Sequence, residues 1–256
     1  MTMIDRTTAE LGLSATIEAQ ALPAGFAMQA HGLGPTLYGA IDLVDQAGLC
    51  AAWFQDRQCD DPAVNALVAA EELARATLLG ARGLKLSAPY LAAKAVLVAG
   101  DGDAARTTPL RAAIFALRSF GVAETRVMDR APSAVDANAL RRRARAQDFR
   151  HNTAQTDGSW AVPLSGGSVT EDILEALFAG FPVIVRLSPA LGADGRDQTI
   201  CITGFEPRTT AAAGSRGAFT FCAPAEYVAE GRSRGCLTTD DLERRCQEVL
   251  YRTRIL

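Results

Sequence analysis

The order of patterns along this 256-residue chain predicts an α+β fold, with helices gathered in its first half and strands in its second. Three observations carry that reading. Capped, Ala-rich segments with helical spacing fill the region before Gly121. Runs of β-branched and aromatic residues bounded by Gly and Pro fill the region after Gly180. Strand and helix patterns do not alternate, as a parallel βαβ sheet would require. The length suits one large domain or two lobes. We divide it at residue 125, with residues 1–125 as a lead and helical lobe and residues 126–256 as a β lobe ending in a C-terminal helix.

Residues 1–21 form a polar, weakly amphipathic lead, and LPAGFAMQAHGLGPTLYG (22–39) reads as an extended loop. The strongest helix signal follows. Asp60-Asp61-Pro62 offers an acidic cap and a proline at the first helical position, and Gly80 and Gly83 close the segment AVNALVAAEELARATLLG. Val64, Leu67 and Val68 share a face, and the Ala-rich remainder allows close packing on several sides. A second helix is expected over LSAPYLAAKAVLV (86–98), and a third over LRAAIFALRSF (110–120), started by Thr108-Pro109 and stopped by Gly121. ALRRRARAQDF (139–149) reads as an Arg-rich helix whose charged face meets solvent.

The second half changes period. Residues 172–180 form a helix ended by Gly180, then FPVIVRLSP (181–189), DQTICITGFE (197–206) and GAFTFCAP (217–224) read as strands. TTAAAGSRG (209–217) is the expected hairpin loop. The tail TTDDLERRCQEVLYRTRIL (238–256) reads as one capped helix, with Asp240 and Asp241 in its first turn and Leu242, Cys246, Val249 and Leu250 as its apolar stripe. The polar head Asp197-Gln198, on an otherwise apolar strand, does not fit this pattern.

Composition narrows the function classes. Hydrophobic residues make up 48% and charged residues 21%, a globular balance. A net charge of −3 argues against a nucleic-acid or anionic-membrane surface. No run approaches the ~18 apolar residues of a membrane span, and MTMIDRTTAEL lacks a signal peptide's basic head and apolar stretch. The expectation is a soluble, cytoplasmic protein. Lys85 and Lys94 are the only lysines beside many arginines, which with the abundant Ala suits a GC-rich bacterial genome. The six cysteines (50, 59, 201, 222, 236, 246) contain no Cys-x-x-Cys pair, and only His31 and His151 could assist a metal. We therefore expect no metal and no cofactor, and read most cysteines as small buried thiols. A redox or metal role would need two of them within bonding geometry.

Taken in order, these segments resemble the papain-like cysteine peptidases, in particular their bacterial branch. AIDLV (40–44) is similar to the family's Val-Asp-Leu-Arg entry, VNALVAAEEL (64–73) to its central helix, and LSAPYL (86–91) to its Leu-Ser-x-Gln-Tyr-Leu element. PLRAAIFALRSFGVAE (109–124) resembles the helix ending in Tyr-Gly-Val-x-x-Glu, and ILEALFAGFPVIVRLS (173–188) the helix–strand pair around Gly-Tyr-Pro-Val. DQTICITGFE falls where the family has Gly-His-Ala-Val-Leu-Ile-Val-Gly-Tyr-Asp. GAFTF (217–221) resembles the next strand and PAEYV (224–228) the Pro-Tyr-Glu-Tyr closure. The resemblance implies a two-lobe fold, an N-terminal helical lobe beside a C-terminal antiparallel β lobe.

It also implies where chemistry would lie. The family uses a Cys nucleophile at the N-terminus of the central helix, a His base, an Asn that orients it and a Gln oxyanion donor. Carried over, these positions fall on Pro62, Gln198, Ala223 and Asp56. Pro62 offers no nucleophile and no N–H, Gln198 has no useful basicity, and Asp56 would repel an oxyanion. The Asn-Ser-Trp-Gly sequence is missing, and passage from Ala223 straight to PAEYV reads as a deleted loop. A second register stays open: VDQAGLCAAWF (44–54) would make Cys50 the nucleophile and Gln46 the donor. The leading expectation is a non-catalytic pseudopeptidase serving as a structural or protein-binding subunit. Its partners would be other protein subunits or a peptide segment, in an oligomer or larger assembly. The alternative is an active cysteine hydrolase using Cys50 or Cys59 with an unconventional base.

Overall fold

Proline at the first helical position and a carboxylate before it start the long helix where the sequence requires. In the computed structural model, which describes residues 39–49, 59, 61–99, 110–125, 160–161, 168–189, 197–207, 216–222 and 234–252, this is the second helix. Strand β1 (Ile41–Asp42) and a one-turn helix α1 (Leu43–Gln46) precede α2 (Pro62–Leu79). Asp61, in extended backbone, accepts from the N–H groups of Ala63 and Val64 at 2.9 and 3.3 Å, and Gly80 ends the helix in the left-handed conformation. Burial is not confined to the face of Val64, Leu67 and Val68: small Ala side chains let α2 bury every residue from Ala66 to Ala76.

Two further helices pack with α2, namely α3 (Ala88–Ala99) and α4 (Leu110–Phe120). Ser87 starts α3 by accepting from the Tyr90 N–H at 3.1 Å. Gly121, at φ 69°, stops α4, and the chain beyond it is tied to the entry of α3 by Ser87 N–H to Ala123 O and Thr125 N–H to Lys85 O, both 2.8 Å. The expected starter Thr108-Pro109 and the Arg-rich segment 139–149 lie outside the described residues.

The rest builds one antiparallel sheet. After β2 (Trp160–Ala161) and α5 (Val169–Phe178) come β3 (Val183–Leu187), β4 (Gln198–Pro207), β5 (Gly217–Cys222), β6 (Arg234–Thr238), α6 (Thr239–Arg245) and β7 (Cys246–Arg252). The strand order is β2-β7-β3-β4-β5-β6, and β1 also pairs with β4. β3 covers Gln198–Ile202 on one edge of β4, and β1 continues that edge at Gly204 and Phe205; β5 covers the other edge. The middle of the sheet is apolar and packs on α2, so one continuous core runs from Val64, Leu67 and Val68 to Ile184, Ile202 and Phe219. Phe205 and Phe219 meet with ring centroids 5.1 Å apart. Phe221 lies over Gly235 of β6, where no side chain would fit.

One expectation is corrected here. The tail is not a single helix. Thr238 caps α6, as its Thr-Asp-Asp start requires, but the helix stops at Arg245 and Cys246–Arg252 form β7. β7 fills the edge of β3 left open by β4, pairing Val183 with Tyr251 and Val185 with Val249. Leaving that edge of β3 unpaired would orphan a row of backbone groups, so tertiary pairing overrides the helical spacing of Cys246, Val249 and Leu250. The sequence pattern also does not announce β6, and the segment after Cys222, with Ala223, PAEYV and the expected loop deletion, lies outside the described residues. The hairpin segment 209–215 lies outside the described residues, although β4 and β5 pair as a hairpin requires.

Helix α5 docks α6 through hydroxyls. Ser168 caps α5 and donates to Glu243 at 2.5 Å, and Thr170 donates to the same oxygen at 2.8 Å, which holds the Glu243 carboxyl below its usual range. Asp172 shows the opposite effect. Burial, with Glu175 and Glu171 nearby, pushes its carboxyl up from 3.8 to about 6. The folded chain therefore binds this proton more tightly than the unfolded one, so the stabilisation is complete below pH 3.8 and is lost as pH rises through about 6. Asp172→Asn removes that dependence. Discounted for a half-exposed site, it stabilises by about 1 kcal/mol at pH 7.5, or about 2–4 °C in Tm, and by nothing near pH 3.5. Thermal melts of both proteins across this pH range check it, and parallel curves would refute it.

Candidate functional site

The polar head of β4 finds its explanation at the α6–β7 junction. Gln198 is half-buried and pairs with Leu187, the last residue of β3. Its side-chain oxygen accepts from Arg245 Nη2 at 3.2 Å. Arg245 is held in turn at the end of β3: its Nε donates to Ser188 O at 3.0 Å, and Ser188 donates back to Arg245 O through its N–H at 2.8 Å and its Oγ at 3.2 Å. Asp197 accepts from Gln247 Nε2 at 3.4 Å. Asp197-Gln198 is therefore polar because it fastens three strand ends together.

These contacts define what position 198 can do. A carboxamide cannot take a proton near neutral pH. Its acceptor oxygen is already used, and the neighbour using it is a permanent cation. A protonated imidazole would be disfavoured beside that guanidinium, so the surroundings as well as the residue oppose a general base here.

At the other candidate position, Pro62 is the first residue of α2 and half-buried. The N-terminus of a helix favours a thiolate through its dipole and its exposed N–H groups. Here the first available N–H groups, those of Ala63 and Val64, are bound by the Asp61 carboxylate, itself 8% exposed. The helix end is neutralised by its own cap. Cys59 stands just before it, buried, with its carbonyl accepting from Asn65 Nδ2 at 2.7 Å. Gln46, the donor of the second register, ends α1 with an exposed side chain. Asp56, Ala223, Cys50, His31 and His151 lie outside the described residues.

Arg245 was not identified from the sequence. It lies in the middle of the segment 238–256 that the pattern reads as one helix; in the structure it ends α6, with Arg244, as a basic last turn. Among the described residues no three His, Cys, Asp or Glu side chains gather as a metal-ligand set, and no helix is long and apolar enough to cross a membrane.

A central helix laid on an antiparallel sheet of this strand order, with a short N-terminal strand added to β4, is a papain-like fold. The chain is similar to xylellain, a cysteine protease from Xylella fastidiosa, with a TM-score of 0.67 at 11% identity over 93% of this chain and 91% of that one. It is also similar to procathepsin B S9 from Trypanosoma congolense, with a TM-score of 0.59 at 10% identity over 91% and 80%. Digestive procathepsin L 3 of the Tenebrio molitor larval midgut gives 0.56 at 12% identity over 96% and 79%. By sequence, no protein-family model and no curated protein matches the chain. Identities this low speak for the fold alone.

Proposed function

We propose that this chain is a pseudopeptidase: a papain-fold protein without peptidase chemistry that serves as a structural or protein-binding subunit in a bacterial cytoplasm. One observation carries the reading. Gln198 stands at the head of β4, where the resemblance requires a histidine, and its acceptor oxygen is bound by the Arg245 guanidinium. The helix end that would activate a nucleophile begins with Pro62 and is satisfied by Asp61. Together these supply a scaffold and remove the proton acceptor on which thiol catalysis depends. The partner would be another protein subunit or a peptide segment held by the scaffold.

The test is chemical. The purified chain is offered fluorogenic peptides and an electrophilic epoxide probe for cysteine peptidases, with labelled sites mapped by mass spectrometry. We expect no turnover above the buffer rate. Labelling should be slow, substoichiometric and unchanged by Cys50→Ala or Cys59→Ala. Rapid one-to-one labelling of a single cysteine, abolished by its alanine variant, would establish the hydrolase reading instead.

A further inference from the structure

Cys201 and Cys222 face each other across the β4–β5 ladder as direct register partners. Directly opposed residues of an antiparallel pair stand with Cα atoms about 4.5–5.5 Å apart, and their side chains leave the sheet on the same face. That spacing falls within the ~4.4–6.8 Å that a disulfide spans without backbone movement. Both residues are thiols in this structure, 1% and 9% exposed. The other described cysteines have no cysteine opposite them. Cys236 faces Thr220, Cys246 faces Leu187, and Cys59 lies in the helical part. Cys236 is a diagonal neighbour of Cys222, at the ~7–8 Å of diagonal pairs and so beyond bonding reach.

We propose that Cys201 and Cys222 form a redox site, a cross-strand dithiol that a low-molecular-weight disulfide such as oxidised glutathione converts to an intramolecular disulfide. Cys222, the more exposed of the two and the last residue of β5, reacts first. Its thiolate attacks one glutathione sulfur, breaking the glutathione S–S bond and releasing one glutathione thiolate, which takes up the Cys222 proton. The Cys201 thiolate then attacks the Cys222 sulfur of the mixed disulfide. That step forms the Cys201–Cys222 bond and releases the second glutathione, which takes up the Cys201 proton. Two protein thiols are oxidised and one glutathione disulfide is reduced.

The site lies at one end of the sheet. Cys201 is on the strand headed by Gln198, and Cys222 adjoins Ala223, so the bond would fix the two strand ends at which the resemblance sets a base and its orienter. The inference does not depend on whether the chain hydrolyses peptides.

Trypsin separates the two cysteines into peptides 197–208 and 217–232, each with one thiol. The whole chain, reduced, is incubated with oxidised glutathione under native conditions, quenched with iodoacetamide and mapped without reduction. The expected result is a single link between these peptides, with four of the six thiols alkylated. The oxidised protein should melt about 5 °C or more above the reduced one, because the link restricts the unfolded chain. Cys201→Ala and Cys222→Ala should each abolish link and shift. Retention of all six thiols, arrest at a glutathione adduct on Cys222, or a link such as Cys222–Cys236 would each overturn the proposal. Because the wild-type map decides, a poorly folding alanine variant leaves the test intact.

Discussion

Gly204→Ala should lower Tm by about 10 °C, corresponding to about 3–4 kcal/mol for a chain of this size. The estimate follows from what an added methyl would meet. A Cβ at Gly204 would lie 2.5 Å from Ile41 O, 2.6 Å from Thr220 Oγ1 and 3.2 Å from Asp42 Cα. The Thr220 hydroxyl can rotate, but the two β1 backbone atoms cannot, so β1 must leave the sheet. Its departure disturbs more than one pairing. Asp42 opposes Gly204 in the ladder, caps α1 by accepting from Val44 N–H at 2.9 Å, and ion-pairs with Arg234 of β6. Arg234 also reaches Asp45 at 3.2 Å, and its guanidinium pKa is raised despite the lowering effect of burial, because of these two carboxylates. A single methyl therefore removes an overlap-free crossing and the staple attached to it. Gly39→Ala is the control, because no atom lies within 4 Å of its added Cβ. Thermal unfolding of the two variants should separate them clearly, and equal melting points would show that β1 yields without cost.

Gly204 also shows what the sequence could and could not reveal. Gly-Phe-Glu at 204–206 was enough to anchor β4, and runs of β-branched and aromatic residues bounded by Gly and Pro were enough for β3 and β5. Helix α2 was legible to its first and last residues because both ends carry local chemistry, a carboxylate cap with proline and a left-handed glycine. Strands β1, β6 and β7 carry no such local signal. β1 is two residues long, β6 reads RGCLT, and β7 follows α6 without an intervening Gly or Pro. Each is a strand because a distant partner supplies its hydrogen bonds, and non-local pairing leaves little trace in a window of the sequence. The same distinction holds at the candidate site. Placing Gln198 needed only the register of its own strand, whereas Arg245 became visible only when α6 was cut short and β7 was laid beside β3.

The helical part presents the second large effect. Charged side chains normally stay at the surface, yet Glu71, Glu72, Arg75 and Lys94 are all buried here, two negative and two positive. Glu72 accepts from Leu86 N–H at 2.6 Å and so fixes the entry to α3. Lys94 lies 4.9 Å from the Phe120 ring centroid and 5.3 Å from that of Tyr90. Glu71 and Arg75, one turn apart on α2, form an ion pair at 3.4 Å with side chains 0% and 10% exposed. An i,i+4 pair on a solvated helix face is worth only about 0.3–0.5 kcal/mol. This pair lies inward because α2 is surrounded, so desolvation sets the scale. Arg75→Met takes the guanidinium from a carboxylate that water cannot reach, and should cost about 3–5 kcal/mol, roughly 10 °C in Tm. Replacing both charges, Glu71→Leu with Arg75→Met, removes the buried carboxylate as well, and should recover most of that loss. The double-mutant cycle reads the coupling directly by denaturant unfolding. A double variant as unstable as the sum of the two single ones would show that packing, and not charge, holds this helix in place.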